Sequence, residues 1–231
     1  MKWFKLLLAI LLLPFLAASV VFGWHTLMLV WDAWNWMDLA CFFLGFSLWL
    51  TLFFGLPRPT WLYVFGHEAT HALAILFSGG KIKDFKVSSE GGHVVSNKMS
   101  AWIALSPYII PFYPSIIGLA WILLRSVWPV VDDYYWAFLL IWGISWGFHV
   151  SFTLYVMGME QTDFTSQGYF FSLVIILGCN LWILVLFLWW WAKPMAWKEG
   201  GQLLFSLLSG YYMKVFYVIK DFVVWISDKL G

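Results

Sequence analysis

The chain has 231 residues, of which 63% are hydrophobic, 22% aromatic and only 11% charged, and its mean hydropathy is +0.83. Soluble domains carry about 25% charged residues, so this composition excludes a water-soluble enzyme, a disordered chain and a secreted disulfide scaffold. The formal charge of +1 comes without a basic cluster, so we expect no nucleic-acid partner. The high aromatic content suits a chain that meets two membrane interfaces many times. The lipid bilayer is therefore its expected surrounding.

Long uncharged stretches predict the transmembrane helices, because a bilayer core about 30 Å thick needs roughly 20 apolar residues per crossing. The predicted crossings are residues 6–30, 39–56, 61–77, 101–124, 134–157 and 170–192. The first stretch begins like a signal peptide, but its apolar run continues to Val30, which favours an uncleaved helix. We therefore expect an all-α polytopic membrane protein of one domain with about six transmembrane helices. The distribution of Lys and Arg among its loops leaves the orientation open.

Two further segments have other patterns. Residues 81–97 alternate polar and apolar side chains around a Ser-Ser-Glu-Gly-Gly turn, which predicts a short membrane-associated β-hairpin. In the tail, about residues 201–230, Lys214, Asp221 and Asp228 are spaced seven apart and so lie near one face of a helix. This spacing favours a C-terminal amphipathic helix at the membrane interface over a seventh crossing.

The third apolar stretch contains an HExxH motif made by His67, Glu68 and His71. Residues i and i+4 of a helix point to the same side, so the two imidazoles can bind one metal ion. Glu68 flanks that side and can take a proton from a water molecule that zinc has made more acidic. Ionisable side chains within a membrane helix are costly and are by default functional. The alternative is a buried polar cluster that only packs helices together.

A catalytic zinc site needs a third protein ligand and an open fourth position. Most acidic residues lie in loops or in the tail, but Glu160 and Asp163 lie where the chain passes from the fifth apolar stretch to the sixth. We predict Asp163 as the third ligand, either opening the last helix or in an unwound segment packed against the HExxH helix. One Zn²⁺ per chain is the expected cofactor.

Two intramembrane polar residues are secondary candidates. His149, in the fifth stretch, is predicted as a metal ligand, as a hydrogen-bond donor to the oxyanion, or as a histidine bonded to a helix backbone. Asn180, in the sixth stretch, is expected to form hydrogen bonds between helices, with a catalytic role as the alternative. Pro107, Pro111 and Pro114 interrupt the fourth stretch, and either bend it or open a lateral gate for a substrate.

The residues Gly66 to Leu73, followed by Gly79-Gly80, resemble the GHExxHAL motif of the site-2 protease class of intramembrane zinc metalloproteases. The segment Gln161 to Phe164 is similar to the one that supplies the aspartate ligand in the compact branch of that family. The resemblance implies that His67, His71 and Asp163 bind zinc and that Glu68 is the general base. It also implies a bacterial plasma membrane location.

The same resemblance implies a transmembrane or membrane-proximal protein substrate, held as an extended strand by the hairpin of Lys81 to Val95. No PDZ-like or CBS-like region is present, so regulation is expected from the tail, the hairpin or a membrane partner. Two alternatives remain open. One is a prenyl-protein type of membrane metalloprotease with Glu160 as third ligand, and the other is a non-catalytic assembly or chaperone subunit with a structural metal.

Overall fold

The computed structural model describes residues 2–159 and 162–230, and their fold is almost entirely helical. The helices are α1 (Lys2–Val30), α2 (Trp36–Gly55), α3 (Thr60–Phe77), α4 (Ala101–Ile109), α5 (Phe112–Val127), α6 (Tyr135–Met157), α7 (Thr162–Gln167), α8 (Tyr169–Ala192) and α9 (Trp197–Leu230). Short 3-10 turns cover Trp31–Ala33 and Pro129–Tyr134. Two strands, β1 (Ile82–Ser88) and β2 (Gly91–Ser96), form an antiparallel sheet. The predicted fold class is confirmed.

Five helical segments of the described chain are long and apolar enough to cross a membrane, and a bent pair of helices can form a sixth crossing. The five are Lys2–Val30, Trp36–Gly55, Pro129–Met157, Tyr169–Trp189 and Trp197–Lys229. The bent pair consists of α4 and α5, which meet at an angle of 68°. The chain is therefore a multi-pass membrane protein by the length and composition of its helices.

The helices that are able to cross a membrane differ from the crossings predicted from the sequence at two places, α3 and α9. The predicted crossing at residues 61–77 is helical, but α3 is not among the segments apolar enough to cross, because His67, Glu68 and His71 lower its hydropathy. The tail forms the single helix α9, whose length and hydropathy are sufficient for a crossing. Its placement at the membrane interface stays a prediction.

The described chain divides into two compact units. One unit contains α1, α8 and α9, and its core is the cluster of Phe22, Val185 and Trp189. Within it, the indole of Trp189 donates a hydrogen bond to Thr26 Oγ1 at 3.2 Å. Ser19 and Trp182 repeat that contact one heptad earlier, at 3.1 Å. A buried indole N–H needs a partner, and these pairings specify how α1 and α8 align.

The other unit, Trp34–Gln167, contains α2 to α7 and the hairpin. Its helices α2 and α6 cross so closely that a Cβ on Gly45 or Gly143 would collide with the backbone of the facing helix. Small residues allow two helix backbones to approach closely. Such packing matters in a membrane, because the hydrophobic effect does not drive the association of helices in lipid. A second cluster, Ala74, Ile75 and Ile103, joins α3 to α4 and is covered by Ile82 and Val94 of the hairpin. This unit holds the HExxH helix and Asp163.

The strands confirm the hairpin predicted for residues 81–97, with a tighter turn than expected, and its association with the membrane stays a prediction. Ser88 pairs with Gly91, so only Ser89 and Glu90 form the loop, and β2 already begins at the first glycine. Gly91 has φ of 148°, a conformation open to glycine and strained for other residues. On the exposed face, His93 Nε2 donates to Asp84 Oδ2 at 2.8 Å, and this hydrogen bond lowers the pKa of the Asp84 carboxyl.

Candidate metal centre

Helix α3 presents His67 and His71 on one side, as their spacing predicts. The two Nε2 atoms lie 3.2 Å apart, and both side chains are nearly buried. The end of α3 is fixed by a hydrogen bond from Ser78 Oγ to the Ala74 carbonyl at 2.7 Å. Gly79 then turns the chain with φ of 69°, and Lys98 Nζ donates to the Ser78 carbonyl from beyond the hairpin. These contacts hold the hairpin against the helix that carries both histidines.

Asp163 joins the two histidines from the short helix α7. Its Oδ2 lies 3.3 Å from His67 Nε2 and 3.4 Å from His71 Nε2. Within residues 2–159 and 162–230, these three residues are the one group of His, Cys, Asp or Glu side chains that could hold a metal ion. The structure thus brings the predicted ligands together, with Asp163 in a separate helical turn rather than at the start of α8. The alternative ligand Glu160 lies outside the described residues.

Hydrogen-bond partners on the outer side of His67, His71 and Asp163 determine which of their atoms face the centre of the cluster. His71 Nδ1 lies 2.8 Å from the Ile103 carbonyl, which can only accept, so this nitrogen carries a proton. His67 Nδ1 lies 3.1 Å from the Tyr63 hydroxyl. The Tyr108 hydroxyl donates to Asp163 Oδ2 at 3.1 Å. Neither tyrosine was among the predicted site residues, although Tyr63 precedes His67 by four residues and therefore shares its side of the helix. Nothing in the sequence pattern indicated Tyr108.

The donor set suits a bound cation. With Nδ1 protonated, the neutral form of His71, which is the form that binds a metal ion, would present the lone pair of Nε2 to a carboxylate oxygen and to a second imidazole nitrogen. The two Nε2 lone pairs and the Asp163 oxygen are electron-rich and repel one another at these distances. One proton can form a hydrogen bond between only two of the three atoms at a time. A cation at their centre is attracted to all three. Ligands about 2.0 Å from a tetrahedral ion lie about 3.3 Å from each other, and the observed separations are 3.2 to 3.4 Å.

Glu68 lies beside the cluster and beneath the hairpin, with 7% of its surface exposed. Strand β2 passes so near that a Cβ on Gly92 would lie 2.6 Å from Glu68 Cγ and 2.8 Å from Val64 Cγ1. Gly92 has no unusual positive φ, so it is the absence of a side chain that permits this approach. The hairpin therefore packs closely on the side chain of the residue that the sequence predicts as general base.

The two secondary candidates, His149 and Asn180, lie in different units of the structure. His149, on α6, lines a cavity of about 20 Å³ together with His67, Thr70 and Tyr113. A cavity of this size holds one water molecule. His149 is not a member of the donor cluster, so its role as a metal ligand has no support, whereas the oxyanion role stays a prediction. Asn180 lies on α8 in the other unit, and its amide donates to the Ile176 carbonyl one turn earlier at 2.9 Å.

Comparisons with protein family models, with curated proteins and with solved structures give no match. The assignment of function consequently depends on the chemistry of the site itself. The described residues form a multi-pass membrane protein in which His67, His71 and Asp163 could hold a metal ion.

Proposed function

We propose that this chain is an intramembrane zinc endopeptidase of the site-2 protease type, which hydrolyses peptide bonds in or near transmembrane segments of protein substrates. The observation that carries the proposal is the convergence of His67, His71 and Asp163 with donor separations of 3.2 to 3.4 Å. Glu68 is adjacent in the chain to the first of these ligands. On the resemblance of the motif, the bacterial plasma membrane is the proposed location.

Zinc is the proposed ion because two imidazole nitrogens, one carboxylate oxygen and an open fourth position are typical of catalytic zinc sites. When bound, zinc acts as a Lewis acid that makes water more acidic and polarises a carbonyl group. The ligand atoms are held by protein contacts on their outer side, the Ile103 carbonyl at His71 among them. Such contacts fix the tautomer and ring orientation of a metal-binding histidine.

Glu68 is the proposed general base. Its carboxylate accepts the proton of the attacking water and afterwards donates a proton to the leaving amine. The side chain is nearly buried, so its charge acts in a low-dielectric environment where electrostatic effects are larger than in water. The hairpin above it limits where the carboxylate can move, which keeps the base at a defined position.

The hairpin is also the proposed contact for the substrate backbone. A helical peptide bond is protected by its own hydrogen bonds, so a transmembrane substrate must unwind before it is cleaved. Each strand of a two-stranded sheet has one edge without a partner in that sheet, and an extended peptide can add to such an edge. The hairpin packs against α3 beside Glu68, so a strand added there would pass near the cluster.

The cavity beside His67 is the proposed starting point of the route by which a substrate reaches the site. It has a volume of about 20 Å³, which is room for one water molecule. Its wall includes Pro107, Ile110 and Phe112, which lie at the bend between α4 and α5. The prolines of this region were predicted to bend the fourth stretch or to open a gate. The bend is confirmed, and displacement of these bent helices is the proposed route for the substrate.

The experiment compares wild type, Glu68→Gln and Glu199→Gln, purified in detergent and reconstituted in proteoliposomes with a panel of single-span reporter proteins. Glu199 is exposed in the first turn of α9 and provides the same chemical change outside the cluster and the hairpin. We expect Glu68→Gln to retain zinc and to lose about 10²- to 10⁴-fold in cleavage rate, with Glu199→Gln unchanged. Wild-type cleavage by Glu68→Gln would rule out the proposed mechanism.

A further inference from the structure

We infer that two tyrosines, Tyr63 and Tyr108, are positioning residues that orient His67 and Asp163 for metal binding. The inference rests on the proposed metal site and concerns residues that no sequence motif marks. Each tyrosine places its hydroxyl 3.1 Å from a ligand side chain.

Tyr63 lies one turn before His67 on α3, and its hydroxyl contacts His67 Nδ1. Its ring stacks on Phe152 of α6, with the ring centroids 4.7 Å apart and an angle of 8° between the planes. Phe152 belongs to an aromatic cluster with Phe53 and Phe148, so the tyrosine ring is held from the side opposite its own helix. When His67 Nδ1–H donates to this hydroxyl, the lone pair of Nε2 is directed towards Asp163.

Tyr108 supports the cluster from α4. It is 1% exposed, and its hydroxyl donates to Asp163 Oδ2, the same oxygen that faces both histidines. Its ring packs edge-on against Phe164, the neighbour of Asp163, at 4.6 Å, and against His67 at 5.3 Å. The same short helix supplies the Ile103 carbonyl to His71. Helix α4 thus orients two of the three ligands.

The hydroxyl groups, rather than the rings, carry the orienting role. A phenylalanine would fill the same volume and keep the ring contacts, but it would leave the outer nitrogen of His67 or the Asp163 oxygen without its partner. The removal of such an outer partner weakens metal binding by about 10- to 100-fold. Tyr113 provides the contrast, since it packs on the same aromatic cluster but its hydroxyl donates to the Leu62 carbonyl at 2.6 Å.

The experiment measures Zn²⁺ affinity of full-length wild type, Tyr63→Phe, Tyr108→Phe and Tyr113→Phe by chelator competition in detergent. The visible absorption spectrum of each protein loaded with Co²⁺ reports the ligand geometry independently of activity. The thermal midpoint of each metal-free protein reports any loss of packing. We expect about 10- to 100-fold weaker Zn²⁺ binding and an altered Co²⁺ spectrum for Tyr63→Phe and Tyr108→Phe, and wild-type values for Tyr113→Phe.

The outcomes separate this inference from the proposed function. If wild type binds Zn²⁺ and both ligand-facing variants bind it equally well, the positioning role is wrong while the metal site stands. Equal weakening in all three variants, together with lower thermal midpoints, would also overturn it, because a general packing effect would then explain the loss. If folded wild type binds neither metal, the proposed function and this inference both fail. Because the two variants test the inference independently, misfolding of one leaves the other decisive.

Discussion

A methyl group added at Gly92 is predicted to displace the proposed general base. The new Cβ would lie 2.6 Å from Glu68 Cγ, whereas ordinary van der Waals contact begins at 3.4 Å. One of the two groups must therefore shift by nearly 1 Å, and a misplacement of about 1 Å near a reacting centre can cost about 10²-fold in rate. We expect Gly92→Ala to reduce the cleavage rate by this factor, equivalent to about 2.7 kcal/mol of transition-state stabilisation, while its zinc content stays that of wild type.

The assay compares cleavage of the reporter protein by wild type, Gly92→Ala and Gly55→Ala, with zinc measured in each preparation. Gly55 ends α2 in the same unit, and a Cβ there meets nothing within 4 Å. Hydrogen exchange of the hairpin amides shows whether β2 itself has moved, since the new Cβ would also lie 2.7 Å from the Lys86 carbonyl oxygen. Wild-type cleavage by Gly92→Ala would refute the close packing of the hairpin on Glu68.

Two further predictions concern stability and pH. Gly143→Ala should destabilise the α2–α6 crossing by about 1–3 kcal/mol, because the added Cβ would meet the backbone of α2. In the control Gly118→Ala, the added Cβ meets only a side chain at 3.7 Å, so this variant should have wild-type stability. Unfolding in mixed micelles measures both variants, and equal stability of the two would contradict the close crossing. The hydrogen bond from His93 lowers the pKa of Asp84 in the folded protein. This pair should therefore stabilise the hairpin fully above the ordinary aspartate pKa of about 3.9. The stabilisation should be lost as the pH falls through the lowered pKa of the folded protein. In His93→Ala, the pKa of Asp84 followed by carboxyl NMR should rise towards the ordinary value, and an unchanged pKa would contradict the pairing.

The two histidines and the helices were predictable because they depend on local spacing. An i, i+4 pair on a helix faces one way whatever surrounds it, so His67 and His71 could be placed together from the sequence. Asp163 required a contact between distant segments and was selected because other acidic residues lay in loops or in the tail. The break of the fourth stretch at Pro111 was also local, since proline removes a backbone donor and clashes with the preceding turn.

The features that the sequence could not provide depend on how distant elements pack. Tyr108 meets Asp163 only because α4 lies between α3 and α7 in space, and no spacing along the chain encodes that contact. Gly92 appeared as a turn residue, yet its role is the close approach of β2 to Glu68. The set of helices that are long and apolar enough to cross also differs from the sequence-based set, since three polar side chains lower the hydropathy of α3 and α9 has long apolar runs between its charges.

The most direct test of the proposed centre is the zinc content per chain of purified wild type, His67→Ala and Asp163→Ala, measured by elemental mass spectrometry after metal-limited growth. We predict close to one zinc per chain in wild type and its loss in both variants, because the three donor atoms are mutually within 3.4 Å. Absence of zinc from correctly folded wild type, or full retention in Asp163→Ala, would contradict the three-ligand centre.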